Sequence, residues 1–247
     1  MRNACKKAVW SGAALLCSLL VLSSSGQSEV YSVNVVGFQK LAARSNGLTM
    51  VATPFSKQSN TLDGVVGPQL TPGKTSGSAD LISVWDPVAQ GYLEYWLKTN
   101  YIWYTSAGLP ASNSSLTSAQ GFFVTSRRAT NQTVVVSGDV PDVDAYTNTL
   151  RPGYNMVSYP FSTEIDINKS ALTNGKTGKT SGSADLLSIW NSSSQQYAEY
   201  WLKTNRIWHT SGGVPASNVT VGAGKAFWYQ NRNSVNFNWI EPRPYTF

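Results

Sequence analysis

The sequence predicts an all-β protein made of two tandem homologous modules, each a β-sandwich or a small barrel, preceded by a signal peptide. Three observations predict this fold class. Apolar residues alternate with period two, in short runs bounded by turn residues. Aromatic residues make up 12% of the chain and charged residues only 13%, a profile typical of exported β proteins. A long segment also returns once, 105 residues later.

The first 26 residues have the composition of a secretory signal peptide. Its parts are a basic start, an apolar run and a small-residue end, namely Arg2, Lys6 and Lys7, residues 13–22, and residues 23–26. An apolar run of this length is too short to span a bilayer. We therefore predict export of a mature chain without a transmembrane span, secreted or held at the cell surface.

Removal of the predicted signal peptide changes the charge and the thiol content of the chain. The formal net charge falls from +6 to +3, because three basic residues are lost and no acidic residue precedes Glu29. So low a charge does not provide the electrostatic surface that nucleic acids require, and no nucleic-acid partner is predicted. Both cysteines, Cys5 and Cys17, lie in the signal, which excludes disulfides from the mature chain.

The internal repeat is visible directly in the sequence. KTSGSADLISVW from Lys74 returns as KTSGSADLLSIW from Lys179. YLEYWLKTN from Tyr92 returns as YAEYWLKTN from Tyr197 at the same offset. Because a repeated sequence folds into repeated structural units, the chain is predicted to contain the same module twice.

A cluster of Gly, Pro and Asp residues marks the boundary between the two copies. It covers residues 138–144, and we place the boundary at Pro141. The predicted organisation is a signal peptide at 1–26, a first β-rich module at 27–141 and a second at 142–247.

Strands are predicted throughout each copy. The apolar period is two, as at Val134 and Val136, and no helical stretch is evident after the signal. Two aromatic runs flank Thr99 and Asn100, which predicts a tight hairpin that returns around residues 204–205. We expect four to seven strands per copy.

Several short elements carry a resemblance to a known family. They are VYSVNVVG at residues 30–37, the G-x-x-[ML]-V-x-x-P element at 47–54 and 153–160, and a glycine–aromatic element at 121–123 and 226–228. The chain resembles a family of uncharacterised secreted β-repeat proteins common in verrucomicrobial-type bacteria. It also resembles, more loosely, β modules of large exported bacterial proteins, with Ala226 in place of their usual glycine. The resemblance implies export and a β-rich repeat, and it transfers no activity.

Most catalytic and cofactor chemistries lack their residues in this sequence. A Ser–His–Asp triad needs a histidine that carries a proton, and the single histidine, His209, corresponds to Tyr104 in the first copy. The GKTSGS segments at Gly73 and Gly178 lack the first glycine of a phosphate-binding loop. Three acidic residues of the boundary segment have calcium-type oxygens but no complete ligand spacing: Asp139, Asp142 and Asp144. We predict no enzyme activity, no cofactor and no metal site.

Paired carboxylates are the one catalytic alternative. Asp80 with Glu94, and Asp185 with Glu199, recur at identical spacing, and two carboxylates can carry out glycoside hydrolysis. A catalytic pair is normally needed once per site, whereas acids beside Ser- and Thr-rich turns cap or orient loops. We therefore favour the structural interpretation of these residues.

The remaining candidates for a binding site are aromatic residues of the hairpin and their acidic neighbours. Alternation places some of them on each face, and one face is expected to be core. If the other face is exposed, its rings can stack on sugars, and the same patch can equally form a protein interface. The candidate ligand-binding residues are Asp80, Glu94, Tyr95, Trp96 and Trp103 in the first copy and Asp185, Glu199, Tyr200, Trp201 and Trp208 in the second.

Taken together, these features predict an exported, non-catalytic structural or interaction protein at or beyond the cell surface, in adhesion, assembly or matrix. The main alternative is a carbohydrate-binding protein with one aromatic platform per copy, and a glycoside hydrolase is the other alternative. The expected partners are an extracellular glycan, another surface protein or a further copy of the chain.

Overall fold

Strands dominate the described part of the chain, as the sequence predicts. The computed structural model describes residues 35–57 and 59–246, and within them lie sixteen strands and two short helical turns. The all-β prediction is therefore confirmed. The predicted signal peptide at residues 1–26, both cysteines and most of the VYSVNVVG element lie outside the described residues.

The first copy consists of a five-stranded sheet and a two-stranded ribbon. Its elements are β1 (Val36–Ala43), β2 (Gly47–Val51), α1 (Leu62–Val65), β3 (Leu81–Asp86), β4 (Gly91–Leu97), β5 (Trp103–Thr105), β6 (Phe122–Ser126) and β7 (Gln132–Asp139). The sheet is antiparallel with the order β2-β6-β3-β4-β5. Strands β1 and β7 pair with each other as the ribbon.

The second copy repeats this arrangement. Its elements are β8 (Ala145–Leu150), β9 (Gly153–Ser158), β10 (Ile165–Asp166), a 3-10 helix (Ala171–Asn174), β11 (Leu186–Asn191), β12 (Gln196–Leu202), β13 (Trp208–Thr210), β14 (Thr220–Val221), β15 (Ala226–Asn231) and β16 (Phe237–Pro242). The sheet order is β9-β15-β11-β12-β13, and β8 pairs with β16 as the ribbon. The small pair β10–β14 brings the strands of this copy to nine, above the expected range. Pro141 lies between β7 and β8.

Two helical turns occur where the sequence predicts none. The Thr61 hydroxyl accepts a hydrogen bond from the Gly64 N–H at 3.1 Å and caps α1, which buries Leu62 and Val65. Ser170 caps the 3-10 helix of the second copy in a similar way. Four residues make barely one helical period, so no periodic pattern can reveal them. Within the described residues, no helix is long and apolar enough to cross a membrane.

Each copy has its own hydrophobic core between the inner face of its sheet and its ribbon. In β7, buried and exposed residues alternate, so Val134 and Val136 point inward as their spacing predicts. They pack in one cluster with Ile82 of β3 and Leu97 of β4. A separate cluster with no residue in common fills the second copy.

The predicted hairpin is present in both copies. Strands β4 and β5 pair with Leu97 opposite Trp103, and β12 pairs with β13 in the same register. The loop turns through a left-handed residue, Tyr101 with φ of 61° or Arg206 with φ of 59°. The aromatic strands of the repeat are thus antiparallel neighbours.

A third hydrophobic cluster joins the two copies. Its buried residues are Met50, Ala52 and Phe123 from the first copy and Met156, Ala226 and Trp228 from the second. Trp85 packs edge-on against Trp228 with ring centroids 5.0 Å apart, and Trp190 packs edge-on against Phe123 at 5.9 Å. Since residues 85 and 123 correspond to 190 and 228, the two contacts are the same contact with the copies exchanged.

Main-chain hydrogen bonds across this interface show the same exchange. The Ala52 N–H donates to the Gly224 carbonyl at 2.9 Å, and the Ser158 N–H donates to the Ala119 carbonyl at 3.0 Å. Residue 52 corresponds to 158 and residue 119 to 224. An interface in which each partner uses the same surface is isologous, so the copies are related by a pseudo-two-fold axis.

Candidate functional site

The outer face of each five-stranded sheet bears a small groove beside the hairpin. The first groove is lined by Ser76, Gly77, Leu81, Glu94, Trp96, Ser106 and Arg127, and the second by Ser181, Gly182, Leu186, Glu199, Trp201, Ser211 and Arg232 together with Tyr200. Their cavity volumes are about 170 and 130 Å³. Every lining residue of the first groove recurs with the same identity 105 positions later, so the two copies form the same site.

Strand alternation brings the groove residues to one face. Along β4, Tyr95 and Leu97 point into the core, so Glu94 and Trp96 share the opposite, outer face. Leu81 of β3 lies directly across from Trp96 in the sheet. The acid, the indole and an aliphatic side chain therefore meet on adjacent strands.

The two groove tryptophans form a wall and are mostly covered. Trp96 exposes 9% of its surface and Trp201 exposes 7%. The Trp96 Nε1–H donates to the Thr105 carbonyl at 3.0 Å, and the Tyr104 ring lies 5.6 Å away. In the second copy His209 takes the place of Tyr104, also at 5.6 Å. A ligand can therefore contact only an edge of each indole ring. The sequence predicts instead a flat, exposed ring face on which a sugar can stack.

The groove arginines are anchored on the turn that precedes β3 or β11. Nε of Arg127 donates to the Ala79 carbonyl at 2.9 Å, and Nη1 of Arg232 donates to the Gly182 carbonyl at 2.9 Å. Each arginine is the first residue after its strand, β6 or β15. These bonds hold the guanidinium beside the groove and leave other N–H groups to donate elsewhere.

The groove glutamates are exposed and unengaged. Neither Glu94 nor Glu199 forms a hydrogen bond or an ion pair with another described residue. Each groove therefore combines an acceptor-only carboxylate, a donor-only guanidinium and two serine hydroxyls that can do either. With one acid and one base, the lining of each groove is neutral overall.

Asp80 is placed in the interior and does not line the groove. It is fully buried, and its carboxylate accepts from the Thr71 N–H at 2.8 Å, the Arg127 N–H at 2.7 Å and the Gln132 side-chain amide at 2.7 Å. These three donors come from different segments of the first copy. The carboxylate thus ties the segments together, in agreement with the loop-orienting role favoured from the sequence.

Asp185 connects segments of the second copy in the same way, but one of its three hydrogen-bond donors is of a different kind. It is fully buried and accepts from the Lys176 N–H at 2.7 Å, the Arg232 N–H at 2.7 Å and the Tyr229 hydroxyl at 2.5 Å. Burial, followed by the nearby Asp185 charge and the hydrogen bond, raises the pKa of Tyr229 above its usual value. The tyrosine therefore stays a neutral donor.

Four aromatic candidates belong mainly to the core. Trp103 and Trp208 are fully buried, and Tyr95 lies in the first core cluster. Tyr200 is half-buried against the second core and only borders the second groove. Trp103 and Trp208 expose no surface to a ligand, and the Tyr95 side chain points into the core, away from the groove. These three residues, like Asp80 and Asp185, therefore lie outside the grooves.

Four kinds of groove residue are absent from the sequence candidates: the arginine, the leucine, the serines and the glycine of the turn. Arg127 and Arg232 lie next to no aromatic motif, so local reasoning gives them no role. The available signal was their identity in both copies, since the surrounding residues from 114 to 126 differ almost throughout from 219 to 231. Conservation between the copies therefore points to the groove.

Two of the boundary aspartates have a partner. Arg243 forms ion pairs with Asp142 and, at 3.2 Å, with Asp144. These pairs connect the end of the chain to the segment between β7 and β8.

Comparison with known proteins finds no relative for this chain. No family model, curated protein or solved structure matches it.

Proposed function

We propose that the chain is a non-catalytic interaction protein of the cell exterior that binds a neutral, hydroxyl-rich ligand, a glycan, in one groove on each copy. The observation that carries this proposal is the recurrence of the same seven residues around both grooves. The location outside the cytoplasm is supported by the predicted signal peptide at 1–26 and the lack of cysteine after it.

The polar groups of the groove match the hydroxyls of a sugar. A sugar hydroxyl donates one hydrogen bond and accepts others, so neighbouring hydroxyls can bond a carboxylate and a guanidinium together. Glu94 supplies the acceptor and Arg127 the donor, and Ser106 adds a hydroxyl. A charged ligand is attracted by the residue of opposite charge and repelled by the residue of like charge. The groove therefore favours a neutral ligand.

The apolar wall and the size of the groove favour one sugar unit per site. Trp96 and Leu81 offer apolar surface to the C–H face of a ring. Cavities of about 170 and 130 Å³ are smaller than the roughly 300–1,000 Å³ of most small-molecule sites. Each site is therefore expected to bind weakly by itself.

The carboxylates favour binding over hydrolysis. Hydrolysis of a glycosidic bond normally uses two carboxylates facing one site. Among the described residues that line the first groove there is one, Glu94, while Asp80 is buried and bonded to three donors. The second groove repeats this arrangement.

A second candidate function is assembly through protein contacts. Ile102 and Ile207 are exposed at equivalent positions after the hairpin loop, and Leu109 and Val214 are exposed at equivalent positions after β5 and β13. Repeated exposed apolar side chains can form a protein interface.

The test is binding of neutral hexasaccharides to the mature chain by isothermal titration calorimetry. The probes are cellohexaose, xylohexaose, mannohexaose and maltohexaose, against wild type, Glu94→Gln, Glu199→Gln and the double variant. We expect two sites for one of these probes, one site in each single variant and at least a tenfold loss of affinity in the double variant. Glutamine preserves the shape of glutamate, but it replaces a carboxylate that only accepts hydrogen bonds with an amide that both donates and accepts them.

Glu164→Gln is the matched control, because Glu164 is exposed and lies outside both grooves. The proposal is overturned if none of the four probes binds, or if the double variant binds like the control. Self-association in analytical ultracentrifugation that Ile102→Lys and Ile207→Lys abolish would then support the second candidate.

A further inference from the structure

The two grooves are related by the same pseudo-two-fold axis as the interface between the copies. The Trp85 Nε1–H donates to the Tyr154 carbonyl at 2.8 Å, and the Trp190 Nε1–H donates to the Leu48 carbonyl at 3.1 Å. Residue 85 corresponds to 190, and 48 to 154. Because each groove occupies the same place in its copy, the operation that exchanges these contacts also exchanges the grooves.

The relative orientation of the grooves is held by the sheets themselves. Strand β4, which carries Glu94, belongs to the sheet whose β2 and β6 carry Met50 and Phe123 of the interface cluster. Strand β12 stands in the same relation to β9 and β15. Each groove is therefore fixed to the interface by strand pairing, with no linker between them.

A two-fold relation has a consequence for a ligand that is a linear polymer. A glycan chain has two different ends, and an asymmetric groove accepts it in one preferred direction. A two-fold axis reverses this direction at the second groove for any path crossing perpendicular to the axis. One extended chain that fits the first groove therefore arrives at the second groove reversed, whereas two separate chains can each bind in the preferred direction.

We infer that the protein bridges two glycan chains, one in each groove, rather than clamping a single chain along both. This inference rests on the proposed function of the grooves. A pair of modules related by simple translation would present both grooves to one chain in the same direction. The pseudo-two-fold packing of this chain makes it a cross-linker.

The test compares binding with cross-linking. The probe is the soluble polysaccharide that matches the binding hexasaccharide: mixed-linkage β-glucan, arabinoxylan, mannan or soluble amylose. Dynamic light scattering follows the mixture as wild type, Glu94→Gln, Glu199→Gln or the double variant is added, and co-sedimentation measures how much of each variant is bound. Calorimetry with the hexasaccharide counts the working grooves separately.

We expect wild type to raise the scattering strongly at a protein to polymer ratio near equivalence and to lose this effect in excess protein. Each single variant should still bind the polymer, with an affinity within about tenfold of wild type, and leave the scattering at the level of polymer alone.

Two outcomes overturn the inference while leaving glycan binding intact. The first is two calorimetric sites with no rise in scattering. The second is a loss of polymer affinity of about a hundredfold or more in each single variant, as expected when one chain occupies both sites of a bivalent protein. Absence of hexasaccharide binding overturns the proposed function itself and with it the inference.

Discussion

The side-chain amide of Gln90 pairs with the main chain of Tyr154 in the other copy. Its oxygen accepts the Tyr154 N–H at 2.9 Å, and its nitrogen donates to the Tyr154 carbonyl at 3.1 Å. Gln195 makes the same two bonds to Leu48, at 3.0 and 2.9 Å. Each glutamine satisfies the free edge of the other copy's sheet, because Leu48 and Tyr154 lie on the edge strands β2 and β9.

Replacement of these glutamines should weaken the fold without changing it. Gln90→Ala and Gln195→Ala each remove three partly solvated hydrogen bonds, the third to the carbonyl of Pro87 or Ser192, and should lower the free energy of unfolding by about 1 kcal/mol. Both positions have positive φ, 50° and 54°, where alanine is as unfavourable as glutamine, so the change isolates the side-chain bonds. Urea denaturation followed by tryptophan fluorescence measures the difference.

The control for this pair is Gln196→Ala, at an exposed position of β12. We expect equal effects at residues 90 and 195, because the contacts are equivalent. A loss of stability in only one of the two variants, Gln90→Ala or Gln195→Ala, would contradict the two-fold description of the interface.

The buried aspartates should be among the most sensitive positions. Asp80→Asn and Asp185→Asn keep the volume but place an amide N–H₂ among donors, so at least one bond is lost and one donor is left without an acceptor. We expect a loss of about 2–4 kcal/mol for each. Thermal and urea unfolding check the value, and Glu164→Gln, exposed and outside the core, should change it by less than about 0.5 kcal/mol. Near-wild-type stability of both variants would refute the organising role.

Alkaline pH should destabilise the fold through Tyr229. Its pKa is raised in the folded protein, by burial first and then by Asp185, so the neutral phenol is the stable form. That contribution is complete below the unfolded pKa near 10 and is lost as pH rises above it, because the unfolded chain ionises first. For this one tyrosine the expected slope is about 1.4 kcal/mol per pH unit.

In Tyr229→Phe, the free energy of unfolding should fall less steeply between pH 10 and 11.5 than in wild type, by about 1.4 kcal/mol per pH unit. The variant should also be less stable at pH 7 by about 1–3 kcal/mol, since Asp185 loses a donor. Urea unfolding at several pH values measures both effects, with exposed Tyr101→Phe as the control. An unchanged slope in Tyr229→Phe would show that other groups govern alkaline unfolding; Tyr92, whose pKa burial and then Tyr197 raise to about 12, is the next one to test.

Truncation of the methionines should reveal the contribution of the joint between the copies. Met50 and Met156 are buried in the shared cluster, and Met→Ala at either should cost about 2–4 kcal/mol. Because both lie in one cluster, the double variant should deviate from additivity by more than about 0.5 kcal/mol. Leu93→Ala, exposed on β4, is the control. Strict additivity would mean that the two side chains do not share a packing environment.

Local pattern predicted some features of the fold and missed others for identifiable reasons. The period of two at Val134 and Val136 predicted a half-buried strand, and the aromatic runs predicted the hairpin, because both signals lie within a few residues. Helix α1 and the 3-10 helix are not predicted from the sequence, because four residues are too few to show a helical period. The additional strands β10 and β14 are not predicted either, because a two-residue strand is defined only by the strand with which it pairs.

The candidate site was predicted in part. Glu94, Trp96, Glu199 and Trp201 line the grooves, since alternation alone puts them on one face. The pattern does not show which face is core, so it predicts Trp103 and Trp208 as site residues together with them. Arg127 and Arg232 reach the groove through the pairing of β3 with β6 and of β11 with β15, which brings residues more than 40 positions apart together.

The sequence by itself determined the class and the repetition of this fold, because alternation, turn residues and a segment returning after 105 residues are all local or directly comparable. Only the tertiary structure decided that the buried aspartates organise loops, that the tryptophans wall a neutral groove, and that the copies face each other across a two-fold axis. Each of these depends on contacts between distant segments. The free energy of such contacts comes from packing and paired polar groups that no single segment contains, so the chain reveals them only once it is folded.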